Sequence, residues 1–143
     1  MARTDFAHHY RIRVRWSEVD PQAVVFNARY LDYADIAVTE YWRAVRAAGL
    51  WNADPLECHV AKAEVNFRKP IRADEELDLM ARTSRFGNTS MTTLVEIHGA
   101  DAADLRATIE LVAVHIDLSD HRPRPLPDSV RAALTAFDAG ATR

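Results

Sequence analysis

Polar and apolar positions alternate along residues 8–16, where Tyr10, Ile12, Val14 and Trp16 interleave with His9, Arg11, Arg13 and Arg15. A period of two puts the apolar set on one face and the basic set on the other, which predicts a half-buried strand. The period then changes. Tyr30, Ala34, Ala37, Tyr41, Ala44, Val45 and Ala48 fall at helical spacing, and Gly49 supplies the stop. Leu31, Ile36, Val38 and Trp42 lie off that stripe, so apolar groups cover more of the circumference than a surface helix needs. Such a helix is expected to be enclosed by other elements.

The rest of the chain offers a sheet to enclose it. Strand-like runs follow at 59–67, 76–85, 90–98 and 105–118. In the first of them Ala61, Ala63, Val65 and Phe67 alternate with Val60, Lys62, Glu64 and Asn66. Between the second and third, Phe86, Gly87, Asn88 and Thr89 have the Gly and Asn of a hairpin turn, and hairpin joins favour antiparallel pairing. The last run is apolar on both faces from Leu111 to Leu118, as a central strand would be. Pro123, Pro125 and Pro127 end the sheet, and residues 128–137 read as a short amphipathic helix. The pattern predicts an α+β fold: one long central helix wrapped by a five-stranded antiparallel sheet, with a short C-terminal helix. No repeat, low-complexity tract or linker interrupts it, so residues 1–143 are expected to form a single domain.

Composition narrows the function. A net charge of -3 and a pI of about 6.0 argue against a nucleic-acid module, since such domains are usually basic. The single Cys58 leaves no intramolecular disulfide framework and fits a reducing compartment. The first residues lack the apolar core of a signal peptide, and no stretch approaches the roughly 20 apolar residues of a membrane span. The expectation is a soluble cytoplasmic protein with no membrane and no nucleic-acid partner.

Candidate chemistry concentrates between the first strand and the long helix. There a lone carboxylate, Asp20, sits in a short loop ahead of a helix whose first N–H groups are free to bind a developing oxyanion. Asp before Pro21 is also a common turn residue, and Asn27 is also a common helix cap. Elsewhere no rival site forms. Cys58 and His59 are neighbours on a strand and so point to opposite faces. His115 and Asp117 share a face but lack a third ligand, and no Gly-rich phosphate loop or nucleophile elbow is present. No metal and no cofactor are expected.

The stretch RVRWSEVDPQAVVFNARY, residues 13–30, resembles the active-site signature of the 4-hydroxybenzoyl-CoA thioesterase family, a branch of the hotdog-fold acyl-CoA thioesterases. The resemblance continues through FRKP at 67–70, RFGNTS at 85–90 and DLSDHRPRPLP at 117–127. It implies hydrolysis of an acyl-CoA, or less often of an acyl-carrier-protein thioester. It also implies a homodimer or a homotetramer built as a dimer of dimers, with the acyl chain entering at the subunit interface. By the resemblance Asp20 is the catalytic carboxylate. The chain departs from the pattern at Val19, where Thr or Cys is usual, at Ala23, which replaces Gly, and at Asn27, which stands where His or Tyr is frequent.

Thioester chemistry demands little beyond this. The thiol leaves readily, so the needs are a nucleophile and an oxyanion site. Asp20 is expected either to attack the carbonyl or to act as general base on water. The backbone amides of Asn27 and Ala28 are the candidate oxyanion donors, and the Asn27 side chain either orients Asp20 or contacts the thioester. Asn88 and Ser90 are candidates for positioning water, Lys69 and Arg85 for the phosphates of coenzyme A, and Tyr30 for shaping the pocket. Glu40, on the helix, ranks below Asp20. A hotdog dehydratase or a non-hydrolytic acyl-thioester-binding protein are the alternatives.

Overall fold

Strand β1 (His8–Arg13) is shorter than its alternation predicts, because Val14 leaves the ladder to exchange backbone hydrogen bonds with Asp74 and Glu75 (3.1 and 2.9 Å). The chain then winds into a 3-10 turn, Trp16–Glu18, and Trp16 ends up 75% exposed instead of on an apolar strand face. The computed structural model describes residues 2–141. After the Asp20 loop come helix α1 (Arg29–Ala47), strands β2 (Cys58–Phe67), β3 (Glu76–Phe86), β4 (Ser90–Gly99) and β5 (Leu105–His115), and helix α2 (Asp128–Asp138). Gly49 closes α1 at φ 76°, a left-handed conformation that suits glycine.

All strand pairs are antiparallel, in the order β1-β3-β4-β5-β2. The β3–β4 hairpin turns at Gly87, whose N–H donates to the Ser90 carbonyl at 2.7 Å. Strand β5 lies between β4 and β2, as its two-sided apolar pattern predicts, but it ends at His115. The chain then doubles back through 117–122, with Asp117 donating to the Arg122 carbonyl at 3.0 Å. Strand β2 is an edge. Its side chains stay exposed from His59 to Glu64, so its alternation does not describe a half-buried strand within this chain.

The sheet curls around α1. Tyr33, Ala34, Ala37, Tyr41 and Val45 of α1 pack onto Leu77, Leu79, Val95, Ile97 and Ile109 in one cluster. Ala34 and Ala37 have no exposure at all, and their small side chains let the helix backbone approach the sheet closely. Enclosure is one-sided, since Leu31 is 43% exposed and Val38 and Trp42 are only half-buried. Helix α2 locks onto this core through Asp138, whose carboxylate accepts the Tyr41 hydroxyl at 2.8 Å and the Thr83 N–H at 3.0 Å. Burial pushes the Asp138 carboxyl above its ordinary pKa, against the pull of those donors. Among the described residues no helix is long and apolar enough to cross a membrane.

Candidate active site

The loop carrying Asp20 is a miniature hairpin. Val19 and Val25 form a bridge, Asp20 donates its N–H to the Val24 carbonyl, and Ala23 donates to the Asp20 carbonyl, both at 2.9 Å. This is the bonding pattern of a type I turn followed by one left-handed residue, with Pro21 at the position where its fixed φ is already correct. The left-handed residue is Ala23, at φ 62°. A Gly would take that conformation freely, whereas a Cβ makes it unfavourable by about 1–2 kcal/mol. One Asp20 oxygen accepts the Gln22 N–H at 2.8 Å, which fixes the carboxylate above the turn; the other has no protein partner among the described residues.

Two anchors hold the hairpin against the rest of the fold. Val25 donates to the Ile71 carbonyl at 2.7 Å, and Phe26 donates to the Glu18 carbonyl at 3.0 Å. The Glu18 side chain accepts the Arg15 N–H (2.8 Å) and the Tyr33 hydroxyl (3.0 Å), tying the segment to the first turns of α1. Burial, with the Glu18 carboxylate beside it, pushes the Tyr33 phenol well above its ordinary pKa, so it stays a neutral donor.

Helix α1 starts directly behind the hairpin and has no side-chain cap. Arg29 donates to the Phe26 carbonyl at 2.9 Å, Tyr30 and Leu31 to those of Asn27 and Ala28 at 3.3 Å. Among the described residues the Asn27 and Ala28 N–H groups have no protein acceptor, and the Asn27 side chain makes no hydrogen bond. Asn27 is therefore not a cap here. Asp20, Asn27, Tyr30 and Lys69 line one cleft of about 340 Å³, together with Gln22 and Phe67. Tyr30 is buried and meets the Phe67 ring edge-on, centroids 4.8 Å apart. Burial raises its phenol pKa.

The opposite wall, residues 68–70, is fastened by a residue that the sequence reading passed over. Arg106 of β5, 8% exposed, donates two hydrogen bonds of 2.9 Å to the Glu75 carboxylate and two, of 2.7 and 3.1 Å, to Asp104. It also donates to the Pro70 carbonyl at 3.1 Å, and its own carbonyl accepts the N–H groups of Arg68 and Lys69. Lys69 in turn is paired with Asp104 at 2.5 Å. The Arg106 guanidinium, with Lys69, holds the Asp104 carboxyl down at about 2, and Arg106 lowers Glu75 as well. Gly99 leaves room for this cluster, since a Cβ there would lie 2.4 Å from an Asp104 oxygen. A single Arg near the start of a strand that is mostly apolar, beside Asp104, was the available signal for it.

The remaining candidates lie elsewhere. Arg85, Asn88 and Ser90 sit at the hairpin end of the sheet, marked by the Phe86–Met91 pair, whereas the cleft lies at the end marked by Leu77–Gly99. The nine residue steps of β3 from Leu77 to Phe86 span about 30 Å. The Asn88 carbonyl accepts Leu126 N–H (2.9 Å) and Arg131 (3.1 Å), and Ser90 pairs with Val114. Glu40 pairs with Arg43 at 3.2 Å and does not line the cleft. His115 is directed to the Pro125 carbonyl (3.0 Å) and Asp117 to Ser119, and among the described residues no group of three or more His, Cys, Asp or Glu could hold a metal. His59 faces His121 at 2.9 Å and not Cys58, whose thiol burial pushes up to about 11.

Known proteins resemble this chain over most of its length. The model of the thioesterase-like superfamily matches residues 14–134. The acyl-CoA thioester hydrolase YbgC of Escherichia coli is 27% identical over 122 residues, covering 85% of this chain and 90% of the relative. A thioesterase from Thermus thermophilus, solved with coenzyme A and Zn, is 25% identical with a TM-score of 0.79, over 94% of this chain and 97% of that one. A 1,4-dihydroxy-2-naphthoyl-CoA thioesterase from Synechocystis shares the fold at 19% identity with a TM-score of 0.77, covering 91% and 96%.

Proposed function

The chain belongs to the thioesterase-like superfamily as a hotdog-fold thioester hydrolase, and from that premise we propose that it hydrolyses an acyl-CoA to the free acid and coenzyme A with Asp20 as its catalytic carboxylate. The observation that carries this reading is the meeting, in one cleft, of the fixed Asp20 carboxylate with Asn27, whose N–H is unpaired at the head of α1 and is followed by the unpaired N–H of Ala28. Those amides and the helix dipole stabilise the oxyanion formed when the thioester carbonyl is attacked, a contribution of about 3 kcal/mol per donor in comparable sites. Asp20 delivers the oxygen, either through a mixed anhydride or by taking a proton from water. Among the described residues no His lines the cleft, which disfavours dehydratase chemistry. The YbgC name and the coenzyme A complex of the Thermus relative support coenzyme A as the leaving group.

Strand β2 supports assembly as at least a homodimer. It is a ten-residue edge with exposed Val60 and Phe67, a flank that remains open to pairing. Antiparallel pairing of two β2 edges would bring the Arg85, Asn88 and Ser90 end of a second copy to the Asp20 end of the first. Lys69, or its neighbour Arg68, then meets the phosphates at the cleft mouth.

The test is thiol release from a panel of aromatic and straight-chain acyl-CoAs by the wild-type protein and by Asp20→Asn, with fold and oligomeric state checked for both. Turnover that collapses in the variant bears the proposal out. Tight binding of acyl-CoA without turnover on any substrate would replace it with a binding function.

A further inference from the structure

The two arms of the Asp20 hairpin are held differently. The second arm runs through Phe26 into α1, and its Val24 and Val25 bond to the 71–72 segment. The first arm, which carries Asp20, is paired with the second and is tied to the helix by the side chain of Glu18 at its base. The Glu18 carbonyl accepts the Phe26 N–H at 3.0 Å, and one of its carboxylate oxygens accepts both the Tyr33 hydroxyl (3.0 Å) and the Arg15 N–H (2.8 Å). Tyr33 lies one turn into α1, about 6 Å along the axis from Arg29. It is 1% exposed, so packing holds the ring from which the hydroxyl reaches the hairpin. Neither Glu18 nor Tyr33 lines the Asp20 cleft, so any effect on chemistry there passes through the hairpin.

We propose that Glu18 and Tyr33 are positioning residues: the hydrogen bond between them is a strut that sets the Asp20 carboxylate against the Asn27 and Ala28 N–H groups. The claim rests on the thioesterase reading with Asp20 as its carboxylate. Attack on a thioester needs the incoming oxygen and the oxyanion donors on fixed sides of one carbon atom, and a misplacement of about 1 Å can cost on the order of 100-fold in rate. Here the carboxylate belongs to the hairpin and the donors to the head of the helix, so their mutual geometry is only as firm as the links between those two elements. The covalent link at Phe26 is a hinge. The Tyr33–Glu18 bond adds a second point of attachment on the other arm, and two points fix an angle that one leaves open. The left-handed strain at Ala23 gives the hairpin a direction in which to relax once the strut is removed.

The experiment compares Tyr33→Phe with Tyr41→Phe. Each deletes one buried hydroxyl from α1, but that of Tyr41 bonds to Asp138 and Thr83, away from the cleft. On the acyl-CoA that the wild type turns over fastest, Tyr33→Phe should lower kcat about tenfold with KM within about twofold, whereas Tyr41→Phe should keep the wild-type kcat. Glu18→Ala should also lose rate, the double variant should fall no further than Glu18→Ala, and Glu18→Gln, which keeps an acceptor oxygen, should recover most of the loss. An unchanged kcat in Tyr33→Phe, an equal fall in both tyrosine variants, or additive losses at Glu18 and Tyr33 overturn the proposal. Hydrogen exchange gives a readout independent of turnover: the Asp20 and Ala23 amides should exchange about tenfold faster in Tyr33→Phe and at the wild-type rate in Tyr41→Phe. If the wild type hydrolyses no acyl-CoA, or Asp20→Asn turns over as well as the wild type, the reading of Asp20 falls and the strut is judged on exchange alone. Unchanged exchange in Tyr33→Phe overturns it.

Discussion

Arg106 grips Glu75 through two hydrogen bonds of equal length, 2.9 Å each, and this forked pair fastens the 68–75 segment to the middle of the sheet. A planar guanidinium matches a carboxylate in this way and an ammonium does not. Arg106→Lys should therefore keep the charge yet lower stability by about 2–3 kcal/mol, because Pro70, Glu75 and Asp104 lose donors at a largely buried site. Urea denaturation measures the loss, and a rise in KM would show that the cleft wall has shifted. A change below about 0.5 kcal/mol would mean that the fork carries no stability.

Ala23 sits where a Gly is preferred. Ala23→Gly relieves left-handed strain of about 1–2 kcal/mol and adds unfolded-chain entropy of about 0.4–1, so a net gain of about 0.5–1 kcal/mol is expected. That corresponds to a melting temperature about 2–4 °C higher. A fall in melting temperature would show that the Ala23 methyl makes contacts that outweigh the strain.

The amide and the side chain of Asn27 can be separated. Arg29 N–H closes a turn on the Phe26 carbonyl, which makes Asn27 the second turn position, where Pro is favoured. Asn27→Ala keeps the N–H and Asn27→Pro removes it. If that amide stabilises the oxyanion, kcat of the Pro variant falls about 10²–10³ below that of the Ala variant at similar stability. Equal rates would remove Asn27 N–H from the oxyanion site.

Single-turnover hydrolysis in ¹⁸O-water tests for an anhydride at Asp20. Water that opens the anhydride at the Asp20 carbonyl leaves ¹⁸O in that carboxylate and unlabelled oxygen in the first product acid, whereas a general-base route, like opening at the acyl carbonyl, labels the product and leaves Asp20 unlabelled. Mass spectrometry of the Asp20 peptide reads the outcome.

Asp78 sets an acid limit on stability. Burial alone would raise its pKa, but Arg11 (3.0 Å), Arg3 (2.7 Å) and the Asp101 N–H (2.9 Å) hold it at about 2, below the ordinary 3.8. A carboxyl depressed on folding stabilises the protein above its unfolded pKa and loses that contribution as pH falls towards the folded value. Roughly 2 kcal/mol should therefore disappear between about pH 4 and pH 2. Asp78→Asn should flatten the stability curve across that window, while an unchanged slope would assign the acid limit to other carboxylates.

The path from residues to fold was clearest where the signal was local. The strand-like runs of 76–85 and 90–98, Gly87 between them and Gly49 after the helix each act within a few residues, and each element formed as read. The Asp20 loop was local too, because Pro21 and the residue three after Asp20 specify its turn. Long-range placement was not readable. Periodicity cannot say that β2 is an edge strand, nor that Trp16 turns outward once Val14 bonds to the 74–75 backbone. Nor could sequence order say that antiparallel register carries Arg85, Asn88 and Ser90 to the end of the sheet away from Asp20 of the same chain. Arg106 went unnoticed because its partners, Glu75 and Asp104, belong to two different loops.

The two walls of the Asp20 cleft differ in stiffness. One is pinned to the sheet interior by charged, forked and backbone bonds converging on a single guanidinium. The other, the Asp20 hairpin, hangs from the backbone bonds of Val24 and Val25 to the 71–72 segment and of Phe26 to Glu18, and it stores strain at Ala23. Any breathing of the cleft therefore falls to the wall that bears the carboxylate, so opening of the cleft displaces Asp20 itself while the Lys69 side keeps its shape.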